Sequence, residues 1–130
     1  MKIKNIISCI LRLVVAIILL QTLYYKFTAH PDSVYIFSKL EIEPWGRISL
    51  GVIELITAFL IIVPKTKTIG LLISFFIIIG AVFAHLKVLG INVSNDGGGL
   101  FTLASIILIS DIIYFIINKN DFKSVLKNTK

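Results

Sequence analysis

Residues 46–64 read GRISLGVIELITAFLIIVP, an apolar run that holds one acid, Glu54, near its middle. The run is close to the roughly 20 residues that a helix needs to cross a bilayer. Pro44 precedes the run and Pro64 closes it, and proline is tolerated at the start of a helix but not in its interior. The segment therefore predicts a membrane-spanning helix over residues 45–63 with a carboxylate inside it.

Three further apolar runs of similar length predict membrane-spanning helices over residues 6–27, 68–89 and 98–117. Hydrophobic residues make up 57% of the chain and charged residues only 15%, whereas soluble domains average about 45–50% and 25%. The runs lack the alternation of a membrane β-barrel, and helices satisfy their own backbone hydrogen bonds in lipid. The chain is therefore predicted to be all-α, a single transmembrane domain over residues 1–130 that forms an integral membrane four-helix bundle.

The basic residues lie at the ends of the apolar runs and predict an orientation. The net charge of +6 would suggest nucleic acid as the partner of a soluble protein, but this placement fits membrane topology instead, so no nucleic acid is expected. With four spans both termini share one side, and lysine-rich flanks face the cytoplasm. We therefore expect cytoplasmic termini and a basic, solvated tail over residues 118–130. The lysines of that side are Lys2, Lys4, Lys65, Lys67, Lys119, Lys123, Lys127 and Lys130.

The loop HPDSVYIFSKLEIEPW at residues 30–45 predicts a short helix at the outer membrane interface. Pro31 suits the first turn of a helix, and Tyr35, Phe37 and Trp45 are side chains that favour the headgroup region. Such a helix could act as a lid over one end of the bundle. The alternative, a loop that merely rests on the membrane, stays open.

Ionisable side chains inside the apolar runs mark the candidate site, because a charge in lipid needs a partner or a water-filled cavity. At about 1.5 Å of rise per residue, most of them lie in the half of the bundle that carries the short helix. Arg47, Gly51, Glu54 and Ala58 recur at helical spacing and share one face. The predicted pocket residues are Gln21, Tyr25, Lys26, Arg47, Glu54 and His85.

Two interpretations of this pocket remain open. In the first it binds a polar or redox-active small molecule or conducts protons. In the second its charges only compensate one another and set the register of the helices. No metal site is predicted, because two histidines, His30 and His85, and the single cysteine, Cys9, do not supply a ligand set.

A second group of charges lies near the other end of the bundle. Arg12 and Asp111 each lie about two turns inside their apolar runs, so their depths match and an ion pair or shared polar network is predicted. The alternative for Arg12 is that its long side chain reaches the headgroups, which the short side chain of Asp111 cannot do.

Two shorter motifs predict local contacts. Gly80 and Ala84 form a small-x-x-x-small pattern, which is typical of close helix packing in membranes. In the segment NDGGGLF, Asn95 or Asp96 is expected to cap the last helix. This segment lacks the Lys-Ser/Thr ending of a phosphate-binding loop.

The ordered set of motifs resembles the DoxX-like family of small four-helix bacterial membrane proteins. The first helix of that family tends to read Arg, small, small, Lys on one face, and here Leu23 replaces one of the small residues. The stretches GAVFAHL at residues 80–86 and NDGGGLFTLA at residues 95–104 are also similar to that family. The other matching residues are Arg12, Ala16, Lys26, Arg47, Gly51, Glu54, Leu55 and Pro64.

The resemblance implies a role in membrane redox processes in the bacterial cytoplasmic (inner) membrane. The family is named after a subunit associated with a quinone-linked membrane oxidoreductase, and other members are linked to redox stress. By resemblance, this chain is an accessory or quinone-binding subunit of oxidoreductase partners, without independent catalytic activity. Two alternatives remain: a small transporter that uses the buried polar residues, and a purely structural membrane partner protein.

Overall fold

The computed structural model describes residues 2–128 as a helical bundle, with no strand in that part of the chain. Four helical stretches are long and apolar enough to cross a membrane. The predicted all-α membrane bundle is therefore confirmed. The helices are α1 (Lys2–Phe27), α2 (Pro31–Lys39), α3 (Trp45–Ile62), α4 (Lys67–Ala84), α5 (Gly99–Ile117) and α6 (Lys119–Asn128).

The four long helices form a ring in which each packs against two neighbours. On one side of the ring α1 contacts α3 and α5, and on the other side α4 contacts the same two helices. Apolar side chains fill the centre, whereas large ones such as Phe59 and Phe83 are exposed on the outer surface, as expected where lipid takes the place of water. The central core comprises Val15, Ala16, Leu19, Ala58, Ile61, Leu71, Ile78, Ala104, Ile107 and Tyr114.

The two ends of the bundle differ. One end, here called the termini end, carries the start of α1, the turn between α3 and α4, and α6. The other, here called the α2 end, carries α2 and the loop over residues 90–98. The predicted flanking lysines lie at the termini end, except that Lys130 falls outside the described residues.

Helix α2 is the short helix predicted between the first two spans. The ring of His30 accepts a hydrogen bond from the backbone N–H of Asp32 at 3.2 Å and caps its first turn. Tyr35 and Trp45 are exposed as expected, but Phe37 is buried, so its prediction as a headgroup side chain is wrong. Because α2 packs against α1, α3 and the segment after α4, it covers its end of the bundle.

Two helix limits differ from the prediction. The third span does not continue as an α-helix to Leu89, because residues His85–Leu89 form a π-helical turn in which the Gly90 N–H donates to His85 O at 2.7 Å. The tail was predicted only as a solvated segment, yet it forms α6. The ring of Phe122 on α6 lies 5.3 Å from that of Phe115 on α5, which holds this helix against the bundle.

The close contact between α3 and α4 is made at Gly70. A Cβ atom at Gly70 would lie 2.7 Å from the backbone nitrogen of Ile61, whereas a Cβ atom at Gly80 would meet nothing within 4 Å. The small-residue contact predicted at Gly80 and Ala84 is therefore not formed at Gly80. The helices approach each other closely near the turn that joins them, at the termini end.

We expect Gly70→Ala to lower the melting temperature of the detergent-solubilised protein. Overpacking against a backbone atom that cannot rotate away costs about 1–3 kcal/mol. Gly80→Ala is the matched control, because it makes the same change in the same helix where space is open, and alanine gains up to about 1 kcal/mol in helix propensity. Equal melting temperatures for the two variants would contradict this assignment of the contact.

Candidate functional site

A cavity of about 860 Å³ opens at the α2 end of the bundle and extends toward its centre. Its volume lies in the usual range of small-molecule sites, about 300–1,000 Å³. Side chains from all four long helices and from α2 line it, and most of them are apolar. The structure brings five of the predicted pocket residues to this cavity: Gln21, Tyr25, Lys26, Glu54 and His85.

An ion pair between Lys26 and Glu54 forms the charged part of the cavity wall. Lys26 Nζ lies 2.9 Å from Glu54 Oε2, and the two side chains are only 12% and 7% exposed. An ammonium and a carboxylate oxygen at this distance form a charge-assisted contact. A carboxylate has about four lone-pair sites, so Glu54 can accept a further hydrogen bond from a molecule in the cavity.

Arg47 does not line the cavity, although it was predicted as a pocket residue. Its Nε donates to both carboxylate oxygens of Glu43, at 2.9 and 3.1 Å, and its Nη1 donates to the carbonyl oxygen of Lys26. The guanidinium thus satisfies a carbonyl in the last turn of α1, which has no partner within its own helix. Arg47 fastens the start of α3 to the end of α1 and so holds Lys26 in place.

His85 lies at the start of the π-helical turn and is buried. Its Nδ1 is 3.0 Å from the carbonyl oxygen of Gly90, which can only accept, so in this contact Nδ1 carries the hydrogen and Nε2 of the neutral ring is an acceptor. The ring packs edge-on against Phe101 with 5.7 Å between centroids. No hydrogen bond or ion pair between His85 and the Lys26–Glu54 pair is present in the described part of the chain.

Several polar residues of the cavity wall were not predicted as site residues. Tyr25 packs edge-on against the His30 ring at 4.9 Å, which places the start of α2 over the polar face of α1. The available signal was position, since Thr22 directly follows Gln21 and the others lie in the two segments that join spans at this end or in the first turns of the last span. These additional residues are Thr22, Asp32, Ser33, Asp96 and Thr102.

Neither Asn95 nor Asp96 is the N-cap residue of α5, because that position is occupied by Gly98, but the side chain of Asp96 still binds the first turn of this helix. Its carboxylate accepts the backbone N–H groups of Val93, Gly98 and Leu100 at 3.0, 2.8 and 3.1 Å. Burial opposes ionisation, but these donors outweigh it and hold the pKa of Asp96 below its usual value. Asp96 is therefore an ionised structural anchor that fixes the loop over residues 90–98 at the cavity rim.

Arg12 and Asp111 do not form the predicted ion pair. Arg12 donates from Nε to Ile61 O at 3.1 Å and from Nη2 to Ile62 O at 2.9 Å. These carbonyls belong to the last turn of α3, which has no helical donors left for them. Arg12 therefore caps α3 across the helix interface rather than meeting the carboxylate on α5.

The partner of Asp111 is Ser74 on α4. Ser74 Oγ donates to Asp111 Oδ2 at 3.0 Å, and Asp111 is fully buried. The other oxygen, Oδ1, has no partner among the described residues. Ser74 was missed in the sequence, although it is the only polar side chain between Thr68 and His85.

Comparison with known proteins assigns the chain to a family. A model of the DoxX-like family matches residues 10–95. The chain belongs to the DoxX-like family. The matched region of this DoxX-like protein contains Lys26, Glu54 and His85 but ends before α5 and Asp111. Searches of curated proteins and of solved structures found no match.

We expect Lys26 and Glu54 to be strongly coupled. Either Lys26→Met or Glu54→Gln leaves one charge buried without its partner, which costs about 3–5 kcal/mol in a buried pair. The double variant removes both charges and should regain much of that loss. Unfolding free energies measured in detergent for the full cycle give the coupling.

The control for that cycle combines Lys26→Met with Asp111→Asn. These residues do not contact each other, so their effects should add to within about 0.5 kcal/mol. If the effects of Lys26→Met and Glu54→Gln also add to that precision, the two charges do not stabilise one another and the ion pair has no energetic role.

Proposed function

We propose that this DoxX-like membrane protein binds a quinone-type molecule in the cavity at the α2 end. The observation that carries the proposal is an apolar cavity of about 860 Å³ with a buried Lys26–Glu54 ion pair in its wall. Packed interiors contain few large cavities, so a cavity of this size exceeds what an ion pair that only holds helices together requires. The cavity and its charges together favour binding over a purely structural role.

The wall residues fit a quinone headgroup. Its carbonyl oxygens accept hydrogen bonds, and the ammonium of Lys26 and the phenol of Tyr25 are donors. The hydroxyl groups of the reduced form donate hydrogen bonds, and the carboxylate of Glu54 and Nε2 of His85 are acceptors. Both kinds of partner therefore line one cavity, and the apolar remainder suits a hydrocarbon tail.

The same proposal makes the protein an accessory subunit of a membrane oxidoreductase in the bacterial inner membrane. Its single cysteine, Cys9, provides no dithiol, so a partner protein would carry the electron transfer. In this role the DoxX-like subunit holds the lipophilic substrate and supplies polar contacts to its headgroup.

The alternative function, permeation along the buried polar residues, is less favoured. On α4 and α5 the residues one turn from Ser74 and Asp111 toward the cavity are Ile78 and Ile107. Both are buried in the central core, with Leu19 from α1 beside them. This apolar layer separates the cavity from Asp111 and interrupts a polar path, so proteoliposomes should show no proton flux above the rate of empty vesicles.

The binding proposal predicts that decylubiquinone raises the melting temperature of the purified protein in detergent. A ligand that binds only the folded state at about 100 times its Kd adds about 2.7 kcal/mol of stability. Glu54→Gln and His85→Ala should lose most of the shift that the reduced form, decylubiquinol, produces, measured from the melting temperature of each variant alone, because each removes an acceptor for its hydroxyl groups.

Asp111→Asn is the matched control for this experiment. It neutralises a buried carboxylate that lies outside the cavity and should leave the shift unchanged. The proposal fails if neither benzoquinones nor naphthoquinones shift the wild-type protein. It also fails if Asp111→Asn abolishes the shift as completely as Glu54→Gln.

We also propose that both termini face the cytoplasm. The flanking lysines lie at the termini end, and Asp121 on α6 is an acidic residue among them. Lysine-rich flanks are retained on the cytoplasmic side of a membrane. In a Cys9→Ser background, Asn95→Cys should react with a membrane-impermeant maleimide on intact spheroplasts. Lys123→Cys should react only after permeabilisation, and the reverse pattern would invert the orientation.

A further inference from the structure

The helices α3 and α4 are fastened together near the turn that joins them. Besides the close approach at Gly70, the hydroxyl of Thr66 in that turn donates to Leu60 O at 2.8 Å. Toward the α2 end, the residues that continue the Gly70 face of α4 at helical spacing are Ile77, Ala81 and Ala84. These three line the cavity.

The cavity also reaches the outer surface of α4. Phe76 lines the cavity and is 67% exposed, so its ring lies between the cavity and the lipid. Gly80, one turn further along, is an exposed lining residue with open space where a Cβ would be. Leu50 lines the cavity from α3. We call the part of the cavity wall formed by Leu50, Phe76 and Gly80 the lateral mouth.

The polar and apolar parts of the cavity wall are separated. The residues that α1 contributes include Gln21, Thr22, Tyr25 and Lys26, whereas α4 contributes only apolar side chains and glycine before His85. A molecule with a polar head and a hydrocarbon tail is therefore oriented by the wall, with its head toward α1 and its tail along α4.

We infer that the ligand enters from the bilayer through the lateral mouth and that its isoprenoid or alkyl tail remains there. This inference rests on the proposed function and adds to it the class of ligand, a tailed quinone, and its route. A tail in the mouth buries apolar surface against Phe76 and Leu50, so the tail should contribute to affinity. A tail-less headgroup needs only the polar half of the cavity.

Gly80→Leu tests the lateral mouth. The substitution adds a side chain whose Cβ meets no protein atom within 4 Å, and its remaining atoms should narrow the mouth. We expect binding of decylubiquinone to weaken roughly tenfold or more, the effect of losing a few buried methylenes. Binding of the tail-less ubiquinone headgroup should stay as in wild type. Both affinities are read from the dependence of the melting temperature on ligand concentration.

Ile79→Phe is the matched control, because it adds bulk to the next residue, which is exposed and lies outside the cavity wall. It should leave both affinities unchanged. The inferred route is wrong if Gly80→Leu leaves the affinities for both quinones unchanged or weakens both equally. Either result leaves the proposed binding function in place. If wild type binds neither quinone, the proposed function itself is wrong and the inference falls with it.

Discussion

The contact between Lys26 and Glu54 joins α1 to α3. Both side chains are buried there, so each charge needs the other as its partner. Two arginines also join α1 and α3. At the α2 end Arg47 donates to the carbonyl oxygen of Lys26, and at the termini end Arg12 donates to the carbonyl oxygens of Ile61 and Ile62. Helices α4 and α5 are joined separately, through the bond from Ser74 to Asp111. The buried carboxylates are thus bound within two helix pairs, α1 with α3 and α4 with α5, and the cavity is lined by all four of these helices.

This arrangement explains why Arg12 does not need an acid as its partner. Unpaired carbonyls in the last turn of a helix carry partial negative charge, and guanidinium groups have several donors in a fixed geometry. Arg12 and Arg47 each satisfy such carbonyls on a neighbouring helix. The two acids that remain, Glu54 and Asp111, are then paired with one lysine and one serine, and Asp111 Oδ1 has no hydrogen-bond partner in the described residues.

The hydropathy pattern predicts the spans, the short α2 helix and the buried stripe that contains Glu54, because these depend on local periodicity and on proline positions. The depth of a residue in the membrane does not say which neighbouring helix its side chain contacts. Depth alone predicts that Arg12 pairs with Asp111, whereas its actual acceptors are carbonyl oxygens on α3. The sequence likewise does not show which glycine lies at a helix contact. Gly70 and Gly80 are both glycines of α4, yet only Gly70 lies against the backbone of α3. The cavity depends on how the four long helices and α2 pack together, and no single residue encodes that arrangement.

The π-helical turn at His85–Leu89 has a consequence for how this protein can vary. A π-turn holds one more residue than an α-turn, so it behaves like a single-residue insertion absorbed into the helix. Removing one residue there would restore regular winding and leave Leu89 and the following loop in nearly the same place, because an α-turn of one residue fewer covers about the same angle. The membrane-spanning length would hardly change, while the bond from the Gly90 N–H to His85 O at the rim of the cavity would be lost. A relative that lacks one residue at this point would therefore share the spans of this chain and differ in the local structure around His85.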